Sequence, residues 1–172
     1  AGSDMLYHNV DHTMMVTMAG QEILVGKQRK DGGVTPKDWV EFTVATLCHD
    51  IGYVRGICSG DEELMFVVHE GVPKVEIPEG SSDASLTPYH VDRGKQFVNE
   101  RFGKLTLVDI SAKQISEYIE HTRFPPKAIE GKTTYKTLGD LCRAADLIGQ
   151  LGDPGYLRKI PALYYEFEEL GM

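Results

Sequence analysis

Apolar and polar positions along this 172-residue chain follow a helical period over most of its length. Residues 7–27 contain no proline, and Met15, Met18, Ala19 and Leu24 recur at helical intervals, which predicts a first helix. "DGG" at residues 31–33 ends it. "TPKDW" restarts the chain: Thr35 is a good N-cap, Pro36 suits the first helical position, and Asp38 completes a capping-box pattern. That second helix carries Trp39, Val40, Phe42, Thr43, Ala45 and Leu47 and runs straight into His49-Asp50. "SGDEELMFVV" has the same start signal, with Ser59 as cap and Glu62 three residues later, and predicts a further helix.

Residues 71–86 break the pattern. They hold two prolines, two glycines and three serines and read as a long surface loop, with strand-like alternation confined to residues 72–77. Thr87 and Pro88 begin the next helix. Ser111 caps another, which ends at Pro125-Pro126. A helix over residues 136–151 contains Leu138, Leu141, Cys142, Ala145 and Ile148, and "DPGYLRKIPALYYEFEEL" closes the chain with one or two short helices. No internal repeat or linker interrupts the sequence. The expectation is a single all-α domain over residues 1–172 with one long surface loop.

Composition narrows the partners. The chain is 41% hydrophobic and 26% charged, as in a globular domain. Its 18 basic and 26 acidic residues give a net charge of −8, with no basic run, which argues against nucleic acid or an anionic membrane. A small phosphorylated substrate stays open, because a bound metal reverses the local field. Cys48, Cys58 and Cys142 form no complete disulfide set and match no zinc spacing, so they are expected to be reduced. No stretch has the length and apolarity of a membrane span and no signal peptide is visible, which makes the cytoplasm the expected compartment.

The chemistry lies with histidines and aspartates. Six histidines occur, at 8, 12, 49, 69, 90 and 121. "TLCHDIGY" sets His49-Asp50 at the C-terminal end of an apolar helix. A carboxylate is ill suited to that already negative end, and a nearby cation removes the conflict. Asp146 falls in the apolar stretch "CRAADLIGQL", where an ionised carboxylate needs a partner such as a metal or an arginine. A lone helical histidine is usually a packing or surface residue. Two histidines, a contiguous His-Asp and an apolar-embedded Asp on three helices are hard to assign to independent packing.

"YHNVDHTMMV", "CHDIGY" and "AADLIGQLGD" together resemble the HD-domain superfamily of metal-dependent phosphohydrolases. "YHNxxHxxxV", and the tail in which "ADLIG" precedes "YEFEELG", are similar to cyclic-nucleotide phosphodiesterases. The resemblance implies an HD/phosphodiesterase-like helical bundle. It makes His12, His49, Asp50 and Asp146 ligands of a first divalent metal, with Asp50 bridging to a second, and makes His8 the proton donor to the leaving oxygen. "YHVDRG" resembles an element of dinuclear HD proteins, including the HD-GYP phosphodiesterases, and implies His90 as a second-metal ligand; "IEHTRFPP" implies His121. His69 has no counterpart and reads as structural or solvated. Tyr53 stands where HD-GYP proteins usually have lysine, and "GYP" is absent.

The expected cofactors are one or two divalent ions among Fe, Mn, Zn, Co, Ni and Mg, which suit imidazole and carboxylate donors. The expected reaction is hydrolysis of a phosphate ester, a phosphodiester or a phosphomonoester of a nucleotide or similar metabolite, by a water held between metals at Asp50. Arg55, Arg93 and Arg123 each follow a proposed ligand closely, and Arg123 is taken as a substrate-binding candidate, against an ordinary surface charge for all three. Two rivals share the pattern: an HD-type di-iron oxygenase with the same six ligands, and a non-catalytic HD module that binds a nucleotide or partner.

Overall fold

The computed structural model describes residues 3–104, 109–126 and 137–171. Among these residues the chain is all-α apart from one small sheet. The helices are α1 (Val10–Lys30), α2 (Pro36–Cys48), α3 (His90–Phe102), α4 (Ala112–Glu120), α5 (Leu138–Leu151) and α6 (Tyr156–Glu169). Strands β1 (Met65–Phe66) and β2 (Val75–Glu76) pair antiparallel, Met65 opposite Glu76 and Phe66 opposite Val75.

Local signals explain most boundaries. The Thr35/Asp38 capping box is formed: the Thr35 side chain accepts from the Asp38 backbone N–H, and Asp38 Oδ2 accepts from the Thr35 N–H at 3.0 Å. Thr137 and Asp140 repeat the device at the start of α5; residue 136, where that helix was expected to begin, lies outside the described residues. Each cap stabilises its helix by about 1 kcal/mol. α1 starts later than the sequence predicts, because the Asn9 side chain accepts from the N–H groups of Asp11 and His12 and caps the helix there. His8 therefore stands outside the helix, and the four-residue spacing to His12 is not a shared helical face.

Two expectations fail. Residues 59–68 form no helix. The expected cap Ser59 donates its backbone N–H to Glu100 at 2.8 Å, and the Asp61 carboxylate accepts from the Cys58 and Val67 N–H groups and from Arg93. The Glu62 N–H then closes a turn on the Met65 carbonyl at 2.8 Å, leading into β1. The next helix begins at His90 rather than Thr87, because residues Asp83–Leu86 first make a turn of 3-10 helix capped by Ser82.

The main core lies among α1 to α5 and includes Val16, Leu24, Phe42, Val91, Val98, Ile115, Ile119 and Cys142. A second cluster of Met5, Tyr53, Phe66, Ile77, Ala84 and Leu86 packs under the sheet and the long loop. Burying each large apolar side chain contributes about 1.5–3 kcal/mol. Among the described residues no helix is long and apolar enough to cross a membrane.

Two glycines bring the future site residues close. A Cβ on Gly149 would lie 2.7 Å from the backbone N and Cα of Val16, so α5 and α1 touch backbone to backbone. A Cβ on Gly52 would lie 1.9 Å from the carbonyl oxygen of His90, so the chain after Asp50 passes directly under the start of α3. Arg93 locks this second junction. Fully buried, it donates from Nε to the Gly52 carbonyl (2.7 Å), from Nη1 to the Val67 carbonyl (2.6 Å), and from Nη2 to the Val54 carbonyl (3.0 Å), with both Nη atoms also on Asp61.

Candidate metal centre

Three helices and one turn deliver the donors. His12 is on the first turn of α1, His49 caps the C-terminus of α2, Asp50 precedes the 3-10 turn Ile51–Tyr53, and Asp146 is on α5. Asp50 Oδ2 lies 3.1 Å from His49 Nε2 and 3.5 Å from His12 Nε2. Asp146 Oδ1 lies 3.3 Å from His12 Nε2 and 3.7 Å from His49 Nε2. The two Nε2 atoms are 3.4 Å apart. Ligands at about 2.0–2.2 Å around a tetrahedral ion stand roughly 3.4 Å from one another, and His12, His49 and Asp50 present ligand atoms that all lie within 4.8 Å of one another, close to such a spacing.

The protonation pattern fits the same use. His49 Nδ1 donates to the Thr46 carbonyl at 2.8 Å, and His90 Nδ1 donates to the Thr87 carbonyl at 2.6 Å. Each ring, when neutral, would present a lone pair at Nε2, the usual outer-shell arrangement of a ligating histidine. His90 Nε2 is 3.9 Å from Asp50 Oδ1, on the opposite carboxylate oxygen from His12 and His49. Asp50 Oδ2 is shielded from solvent and accepts no hydrogen bond. A buried, unsatisfied carboxylate oxygen facing imidazole nitrogens is the feature that a cation resolves.

Charge is concentrated here even without an ion. Burial works against a charged His49, but Asp50 and Asp146 outweigh it and push its pKa up to about 9. Burial would raise Asp50, yet His49, His8 and His12 hold it well below the usual carboxylate range. Burial dominates at His90 and lowers it.

His8 flanks this cluster by a different route. Its Nδ1 lies 2.6 Å from Glu166 Oε2, and Glu166 Oε1 accepts the Tyr7 backbone N–H at 2.6 Å. Burial opposes charge on His8, and Glu166 together with Asp50 and Asp146 more than offsets it, so the pKa is raised. Glu166 is buried on α6 and was not singled out from sequence. The only signal was its place within the "YEFEELG" tail. Tyr53 was noted there as a departure only; its ring lies between His8 and His90.

Other candidates find other partners. His121 caps the end of α4, where its Nδ1 is 3.2 Å from Asp140 Oδ1 on the first turn of α5 and its ring lies against Gly139. Asp140 sits about 9 Å along α5 from Asp146, at 1.5 Å per residue, so this pairing does not place His121 with the cluster. Arg123, expected to hold substrate, is engaged by Glu120 and Asp92. Arg93 is buried and structural. Arg55 pairs with Asp83 Oδ1 at 2.7 Å and donates to the Ser81 carbonyl. His69 is exposed and bonds the Glu70 carbonyl.

The model of the Npun_R2479-like family matches residues 1–172, the full length of the chain. No curated protein and no solved structure matches it.

Proposed function

The chain belongs to the Npun_R2479-like family, and we propose that it is a metal-dependent phosphohydrolase acting on a small phosphorylated metabolite, with nucleotides as the leading class. The observation that carries this reading is the Asp50 carboxylate oxygen Oδ2, shielded from solvent and faced by the Nε2 atoms of His12 and His49. His12, His49, Asp50 and Asp146 would hold one divalent ion, and Asp50 with His90 a second, supplying Lewis acidity toward phosphoryl oxygens and an acidified water. The remaining work falls to the chain. Glu166 holds His8 by Nδ1 and favours its protonated form, which leaves Nε2–H as the donor to a departing alkoxide. This proton donor favours hydrolysis over a di-iron oxygenase built on the same ligands. Three free cysteines, two of them buried, suit a reducing cytoplasm.

Metal analysis of purified protein, followed by assay with Mn or Fe on a panel of nucleotides and sugar phosphates, tests the reading. Turnover that Asp50→Ala abolishes supports it. Full activity in metal-free protein overturns it. Substrate-dependent oxygen consumption would assign the oxygenase instead, and two bound metals without turnover a binding module.

A further inference from the structure

We infer that Tyr53 is a positioning residue that holds His8 and His90 on opposite faces of one ring and so presents both to Asp50. The inference rests on the reading above that the two histidines serve one centre. The Tyr53 ring lies 4.4 Å from that of His90, with 7° between the planes, and 5.3 Å from that of His8, with 27° between them. Imidazoles stacked on both sides of a phenol are steered in plane and in distance by the same surface. Neither His8 nor His90 sits inside a helix: one precedes α1 and the other opens α3. Each Nδ1 has one hydrogen bond, which fixes a direction but leaves the ring free to swing about it. The tyrosine removes that freedom.

Tyr53 is itself immobilised. It is 2% exposed, and its backbone N–H donates to the Asp50 carbonyl at 3.1 Å. Arg93 grips the carbonyls on either side, those of Gly52 and Val54. The spacer is therefore fastened to the same turn as the bridging carboxylate. A lysine at this position would offer no flat face to either imidazole.

Tyr53→Phe keeps the face and Tyr53→Met keeps the volume without it. In metal-free protein, the ring protons of His8 and His90 should resonate upfield in wild type and in Tyr53→Phe. Both sets should return toward ordinary positions in Tyr53→Met, with His49 unmoved. Calorimetric titration with Mn should show the weaker of two affinities falling ten- to a hundredfold in Tyr53→Met, the usual scale for a lost outer-shell contact, with Tyr53→Phe at the wild-type value. Retention of both upfield signals in Tyr53→Met, or loss of only one, overturns the inference. Tyr53→Leu replaces any Tyr53→Met preparation whose far-ultraviolet spectrum departs from wild type. Failure of the phosphohydrolase reading would look different: no turnover by wild type, with the resonance pattern intact.

Discussion

His8 and Glu166 lie 158 positions apart in sequence and meet at 2.6 Å between Nδ1 and Oε2. The contact ties α6 to the segment before α1 and leaves Nε2 as the His8 nitrogen not held by Glu166. Glu166→Gln should therefore leave metal content unchanged while moving the alkaline limb of the pH–rate profile to lower pH. Glu166 raises the His8 pKa, so removing its charge deprotonates the donor earlier. His8→Ala should also retain metal and lose about 100-fold or more in kcat. Metal loss in His8→Ala, read by elemental analysis, would make His8 a ligand instead.

The raised pKa of His49 predicts a pH signature in the metal-free protein. A folded value of about 9 against an ordinary 6.5 means that protonated His49 stabilises the fold fully below pH 6.5. That contribution is lost as pH rises through 9. Thermal melts in chelator should show Tm falling across this window, and His49→Gln should flatten the fall. Metal affinity should climb over the same interval, up to tenfold per pH unit for the one proton displaced. A metal-free Tm that rises from pH 6.5 to 9 would contradict the assignment.

Arg93 and Asp61 form a buried pair whose members fail unequally when split. Arg93→Met leaves Asp61 buried and uncompensated and should cost about 3–5 kcal/mol in urea unfolding. The double variant Arg93→Met/Asp61→Asn should cost less than the sum of the singles, because the stranded charge is gone. Strict additivity would mean the two residues act separately.

Gly52→Ala is expected to be among the most damaging single-methyl changes in the chain. Its Cβ would meet the His90 carbonyl, which is backbone and cannot rotate away. Overpacking of this kind costs about 1–3 kcal/mol or more. The variant should lose the weaker metal affinity together with stability, whereas Gly26→Ala, in open space on α1, should leave both unchanged.

The grouping of His12, His49, Asp50 and Asp146 was legible because each sits in a short motif with a chemical misfit, a carboxylate or imidazole among apolar neighbours. The capping box at Thr35 was legible because it is local; the equally local box at Thr137 was not singled out. Glu166 was not, because it lies in an acidic stretch that looks solvated until α6 docks. Residues 59–68 misled because Asp61 serves the distant Arg93 rather than a helix. His121 and Arg123 sat in a motif-like context, but Asp140, Glu120 and Asp92 reach them first, and nothing in "IEHTRFPP" reveals that competition.

Where α1 meets α5 at Gly149, the bare backbone contact would set the spacing between two donors of the proposed metal centre. His12 is four residues before Val16 and Asp146 three residues before Gly149, so both stand about one helical turn before the junction, where they meet. A methyl at position 149 would be a shim in that joint, spreading the two donors and weakening the hold on an ion bound near about 2.0–2.2 Å, such as zinc. On that proposal, the fit of the centre to its ion would depend partly on the absence of a side chain, at a residue outside the donor set.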